Sequence, residues 1–242
     1  SITYGAALLC RFVRLVRWSI FFLVAGFAIN IVSDISGRYI VWPYCNMFYE
    51  PFFLPLSLSG ISLFLVVVGR QEQGLSMLPF IGFFSLMAIL FSESYYPPFT
   101  IMSRSIFAHL FHLFIFIAHG LLIGAACLTF SFVLRKQKEA IFNQLVIWGF
   151  TFLCAAGLFG MVWSYLGRAD PVSWNHYYFH SIAIWFYYGG YLHLQLTGVW
   201  NQNKRALILL GGALLILWLD YLPQIGGISA LGVLNGKLYE LY

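Results

Sequence analysis

Residues 163–196 read WSYLGRADPVSWNHYYFHSIAIWFYYGGYLHLQL, and the fold is decided there. Arg168 and Asp170 are costly in hydrocarbon and belong outside a bilayer, whereas Phe179 to Leu196 is apolar enough to cross one. A short, polar, aromatic-rich loop therefore rests on the mouth of a membrane-spanning helix, and that helix ends near His193.

Outward from this stretch the chain keeps the same character. Its 242 residues are 61% hydrophobic and only 9% charged, and the mean hydropathy is +0.84, well outside the range of soluble domains. Hydrocarbon about 30 Å thick needs ~20 apolar residues per helical span. Seven apolar runs answer to that length, at roughly 15–33, 52–69, 76–91, 106–134, 141–166, 179–196 and 206–222. The sequence thus predicts an all-α integral membrane protein, a bundle of about seven transmembrane helices forming a single membrane domain over 1–242. The third run is the shortest, with a tilted or half-inserted helix as the alternative to a full crossing. The opening residues are too basic and too interrupted for a cleavable signal peptide.

Basic residues orient the spans, because cytoplasmic loops retain Lys and Arg. Arg11, Arg14, Arg17, Arg70, Arg135, Lys136, Lys138, Lys204 and Arg205 fall on one side, against Arg38, Arg104, Arg168 and Lys237 on the other. Nine against four puts the N-terminus in the cytoplasm, the C-terminus in the periplasm and the 163–175 loop on the periplasmic side. The net charge of +5 is explained by the same rule, so no nucleic-acid partner is implied. Cys10, Cys45, Cys127 and Cys154 are isolated from one another, with no thiol-redox or covalent haem-attachment spacing.

No hydrolase triad, phosphate loop, zinc spacing or paired carboxylate is present, so the reactive inventory is histidine. His109, His112 and His119 share the fourth span, with His112 and His119 on one face and ~10 Å apart along the axis. His176 and His180 are one turn apart at the start of the sixth span. His193 lies ~220° around that helix from His180, so the two serve different sites, and His193 is expected to face the bundle from the inner end. Imidazole is a standard axial ligand of haem iron, porphyrin packs on aromatic rings and its propionates seek arginine. Haem b fits these residues best.

The same stretch resembles the cytochrome c assembly proteins, the haem-handling membrane family of the CcsA and CcmF type. Ser173-Trp174 followed by Tyr191-Leu192-His193-Leu194 is similar to that family's tryptophan-rich loop and the Y-L-H-L end of its next span. Without a gap, the family's first loop Trp falls on Trp163, the Trp of its W-D pair on Trp174 and its span histidine on His193. Gly157, Gly160 and Trp163 resemble a glycine-spaced run that precedes the loop, and Asn46-Met47 with Tyr49-Glu50 resembles an N-x-Y-E signature. Two loop tryptophans of the pattern are Arg168 and Val172 here, the acidic residue after the last Trp is Asn175, and the late G-L-H-S-Y histidine is absent from Gly227 to Leu234.

The resemblance implies a protein that carries or presents haem for attachment to apocytochrome c, in a bacterial inner membrane or its organellar equivalent. It places a histidine near the outer end of the fourth span, matched by His112 or His109, and the loop outside. Because the late histidine is missing, either His176 or His180 supplies the opposite iron ligand, with depth favouring His180, or the iron stays five-coordinate. Arg104 and Arg168 then serve the propionates, Trp163, Trp174 and Tyr178 surround the ring, and His119 and His193 lie deeper. Implied partners are membrane lipids, other membrane or periplasmic subunits and c-type cytochromes. The departures point to an alternative, a membrane subunit of a respiratory or other electron-transfer complex that holds a b-type haem or a quinone, or serves as an anchor.

Overall fold

The computed structural model describes residues 2–39, 53–90, 104–135, 142–172, 176–197 and 201–221. The described residues are helical throughout, with no strand: α1 Ile2–Phe12, α2 Val16–Tyr39, α3 Phe53–Val67, α4 Gln71–Ser76, α5 Leu78–Leu90, α6 Ile106–Arg135, α7 Phe142–Arg168, α8 His176–Leu196 and α9 Gln202–Ile216. A π-helical turn, Leu217–Tyr221, continues α9. Helix is what an apolar environment demands, since every backbone donor and acceptor must find its partner inside the segment. Four stretches are long and apolar enough to cross a membrane: Val16–Ser36, Gln71–Leu90, Ile106–Ser131 and Phe142–Arg168.

The breaks between helices have local causes. Arg14, at φ 64, follows the end of α1; its N–H reaches the Arg11 carbonyl at 3.1 Å and the Leu15 N–H the Cys10 carbonyl at 2.8 Å. That is the Schellman pattern, here built on a side-chain-bearing residue at a cost of roughly 1–2 kcal/mol over glycine. The same pair of bonds ends α3, from Gly69 to Val66 and from Arg70 to Leu65, and there a glycine takes the positive φ of 85. Between α4 and α5 the agent is Pro79, which has no N–H to give to Leu75 and crowds that carbonyl. The helix bends at Met77 and goes on. Gln71–Leu90 is therefore one 20-residue stretch long and apolar enough to cross a membrane, longer than the apolar run alone indicated.

The core is organised around α6. In its best span window 72% of residues are buried, against 28% for α7 and 17% for α2, so α6 is the central helix and the others shield it. It packs on α3, α7 and α9. Gly120 permits the α3 contact: a Cβ there would sit 2.4 Å from the Ser57 Cβ. Small residues at helix crossings supply the van der Waals contact that replaces hydrophobic driving force in lipid.

Helix α1 was not among the expected spans. It is too short to cross and instead lies against α2 and α5, burying Tyr4 and Ala7. The Tyr4 hydroxyl donates to Ser59 Oγ at 3.1 Å and Ser19 Oγ donates to the Ala7 carbonyl at 2.8 Å. Arg11 donates both terminal nitrogens to the Glu72 carboxylate, Nη1 to Oε1 at 3.1 Å. Hydrogen bonding to Glu72 holds the Arg11 guanidinium above its ordinary pKa.

Candidate functional site

The long contact between α6 and α7 brings the first two expected site residues together. His112 on α6 meets Trp163 on α7 edge-on, ring centroids 5.9 Å apart at 63°. Phe111 closes the corner, 4.9 Å from His112 and 5.9 Å from Trp163. The reason is local: Gly160, one turn before Trp163, leaves room for the Phe111 ring, which a Cβ would approach to 2.9 Å. His109, one turn earlier on α6, is buried, and His112 is half-buried. Trp163 itself lies within α7, as the 141–166 run indicated, and α7 runs on to Arg168, so the loop begins after Arg168 and not at Trp163.

A second polar group occupies the interior. Asp220, in the π turn, has Oδ2 at 3.4 Å from His119 Nε2 and Oδ1 at 3.6 Å from His180 Nδ1. Side-chain exposures of 1% for His119, 13% for Asp220 and 22% for His180 place one carboxylate between two imidazoles, opening toward the His180 side. The Tyr221 ring lies 6.0 Å from that of His119. One shared proton among the three groups leaves the cluster with no net charge. That is the economical state for such a cluster in low dielectric.

This grouping corrects the expected pairing by depth. His180 was set apart from the deeper His119, but both reach the same carboxylate. His119 lies ~20 Å along α6 from Ile106 and His180 only ~6 Å into α8, so the two helix starts are staggered and residue counts from span ends do not give a common depth.

His193, expected to face the bundle, is exposed. The cause is helix geometry: Ile184, Tyr188 and Tyr191 are buried on the His180 face, and a residue ~220° away from His180 leaves that stripe. Arg104 at the start of α6 and Arg168 at the end of α7 are both exposed. Arg168 Nη2 donates to Ser164 Oγ at 3.3 Å, and that hydroxyl donates to the Asp170 carbonyl at 2.7 Å. Ala169 turns the chain at φ 57, and the Val172 N–H donates to Asp170 Oδ1 at 3.0 Å. Trp174 lies outside the described residues, as do Asn175, the Asn46–Glu50 segment and the tail from 222; His176 starts α8, with its side chain outside them. Among the described residues no group of three or more His, Cys, Asp or Glu is arranged to hold a metal ion.

Asp220 is the residue that sequence reasoning passed over. The signal was present: it is the lone acidic residue of the last apolar run, and an ionisable group inside a span is a functional candidate by default.

No family model matches the chain, and no solved structure matches it. It is 31% identical over 97 residues to the cytochrome c biogenesis protein CcsA of Welwitschia mirabilis, an alignment covering 40% of this chain and 30% of that protein. With the CcsA of Thermosynechococcus vestitus it shares 30% identity over 99 residues, 41% of this chain and 30% of the other. The resemblance to the CcsA type is therefore borne out, and the chain spans about 30% of the length of these curated relatives.

Proposed function

We propose that the chain handles haem in a membrane, as its likeness to cytochrome c biogenesis proteins suggests. The observation that carries the reading is the His112–Trp163 contact: the tryptophan singled out by the resemblance packs on a histidine of the central helix. A half-buried imidazole with an indole and a phenyl ring at its side suits one axial position and one wall of a porphyrin site. Haem b is the proposed occupant, with His112 or His109 as ligand. His180 faces Asp220, so His176, one turn nearer the start of α8, is the better opposite ligand. Arg104 and Arg168 stand at the outer ends of α6 and α7, where propionates would meet them, Arg168 by exchanging its bond to Ser164.

In this reading haem supplies the reactive iron and vinyl groups, and the chain binds, orients and keeps water away. Seven crossings with the N-terminus in the cytoplasm and the 169–175 loop in the periplasm are proposed on the split of basic residues. Apocytochrome c and other assembly subunits are the proposed partners. A dithionite-reduced absorption spectrum of the purified protein tests the reading. A b-type band that weakens when His112 and His109 are both replaced by alanine supports it. A wild type without the band, co-purifying with a respiratory complex, turns the reading to an anchoring subunit.

A further inference from the structure

The haem reading leaves the opposite end of the bundle unexplained. There, a groove of about 470 Å³ opens between α1, the start of α2 and the α4–α5 pair, within the roughly 300–1,000 Å³ range of ligand sites. It is lined by the apolar Leu8, Phe12, Leu75 and Pro79 and by the charged Arg11, Arg14 and Glu72. Glu72 is already engaged by Arg11. Among the described residues no hydrogen bond or ion pair engages the Arg14 guanidinium, although Arg14 holds a backbone conformation, φ 64, in which glycine costs less. Strain retained with a charged, unpaired side chain beside a cavity is a functional signature.

The surrounding charge is predominantly positive. Arg11 on α1, Arg14 in the connection, Arg17 on α2 and Arg70 ahead of α4 stand against Glu72 alone, three net positive charges at one end of a membrane bundle. Apolar and basic residues side by side in one groove match an amphiphile with an anionic head. We propose that this groove is a headgroup site for an anionic phospholipid of the surrounding membrane, with its phosphate on Arg14 and its first acyl carbons against Phe12, Leu75 and Pro79. The geometry suits guanidinium, which pairs with phosphate oxygens through two parallel N–H donors.

Native mass spectrometry of the detergent-purified chain tests this, using phosphatidylglycerol, phosphatidylcholine and inorganic phosphate as probes. The wild type should retain one phosphatidylglycerol and hold phosphatidylcholine at least about tenfold less tightly, the scale of one charge-assisted contact. Arg14→Gly should lose about tenfold in phosphatidylglycerol affinity without lowering the thermal midpoint, because glycine relieves the backbone. Glu72→Gln, which releases Arg11 to the groove, should tighten binding. Equal retention of the two lipids, unchanged phosphatidylglycerol binding in Arg14→Gly, or inorganic phosphate bound as tightly as the lipid would overturn the proposal. Should Arg14→Gly lower the midpoint, Glu72→Gln decides, with tighter binding supporting the site and unchanged binding overturning it.

Discussion

Oδ2 of Asp220 lies 3.4 Å from Nε2 of His119, so the last described turn of the chain is tied to the middle of its central helix. The contact crosses from α9 to α6 in a region where water does not compete. Its removal should therefore cost more than a surface ion pair. Asp220→Asn is expected to destabilise the protein by about 1–3 kcal/mol, read as a lower thermal midpoint in detergent. A double-mutant cycle with His119→Phe should show a coupling of at least about 0.5 kcal/mol. Additive effects would mean that the two groups are neighbours without being partners.

Gly120 sets how closely α3 and α6 approach. An added methyl would meet Ser57 Cβ at 2.4 Å, and the obstacle cannot rotate aside. Gly120→Ala is expected to cost about 1–3 kcal/mol as overpacking. Gly157→Ala is the control, with nothing within 4 Å of the new atom; it should be neutral or slightly stabilising. Equal midpoints for the two variants would refute the packing account.

Ala169 ends α7 in the left-handed region at φ 57, its N–H held by the Tyr165 carbonyl at 2.8 Å. Ala169→Gly should raise stability by up to about 1 kcal/mol, since only the alanine Cβ resists this conformation. Ala169→Val should lower it. A midpoint that falls in the glycine variant would show that the turn is held by something other than backbone geometry.

Orientation is open to chemical labelling in intact cells. A cysteine placed at Ala169 should react with an impermeant thiol reagent, and one placed at Gln137 should not, as the basic-residue split requires. The reverse pattern would invert the proposed topology.

Much of the helix pattern was legible because lipid leaves a chain few options. The apolar runs located α2, α3 and α5 to α9 to within a few residues, and hydropathy could do so because burial in lipid is a length rule. It missed α1, where Arg11 interrupts a run too short to cross, and it missed that α4 and α5 together make one stretch long enough to cross, because Gln71 and Glu72 hid the start. At the site, residue type was informative and direction was not. His112 and Trp163 lie side by side, because α6 and α7 pack along their length. His193 did not turn inward as expected, because one apolar stripe per helix settles which histidine is buried, and α8 gave that stripe to His180. Asp220 escaped notice because its partners come from two other helices, and no local spacing records them.

The π turn gives the Asp220 contact a different kind of fragility from loss of a functional group. Five residues, Leu217–Tyr221, follow the wider winding, and in an ordinary helix each residue advances the side chain by ~100°. Dropping a single residue from that turn would swing the carboxylate away from both imidazoles while leaving the composition of the segment intact. The polar centre of the bundle is held by a count along the chain as much as by chemistry, and a one-residue deletion at this turn should disable it as thoroughly as replacing Asp220 itself.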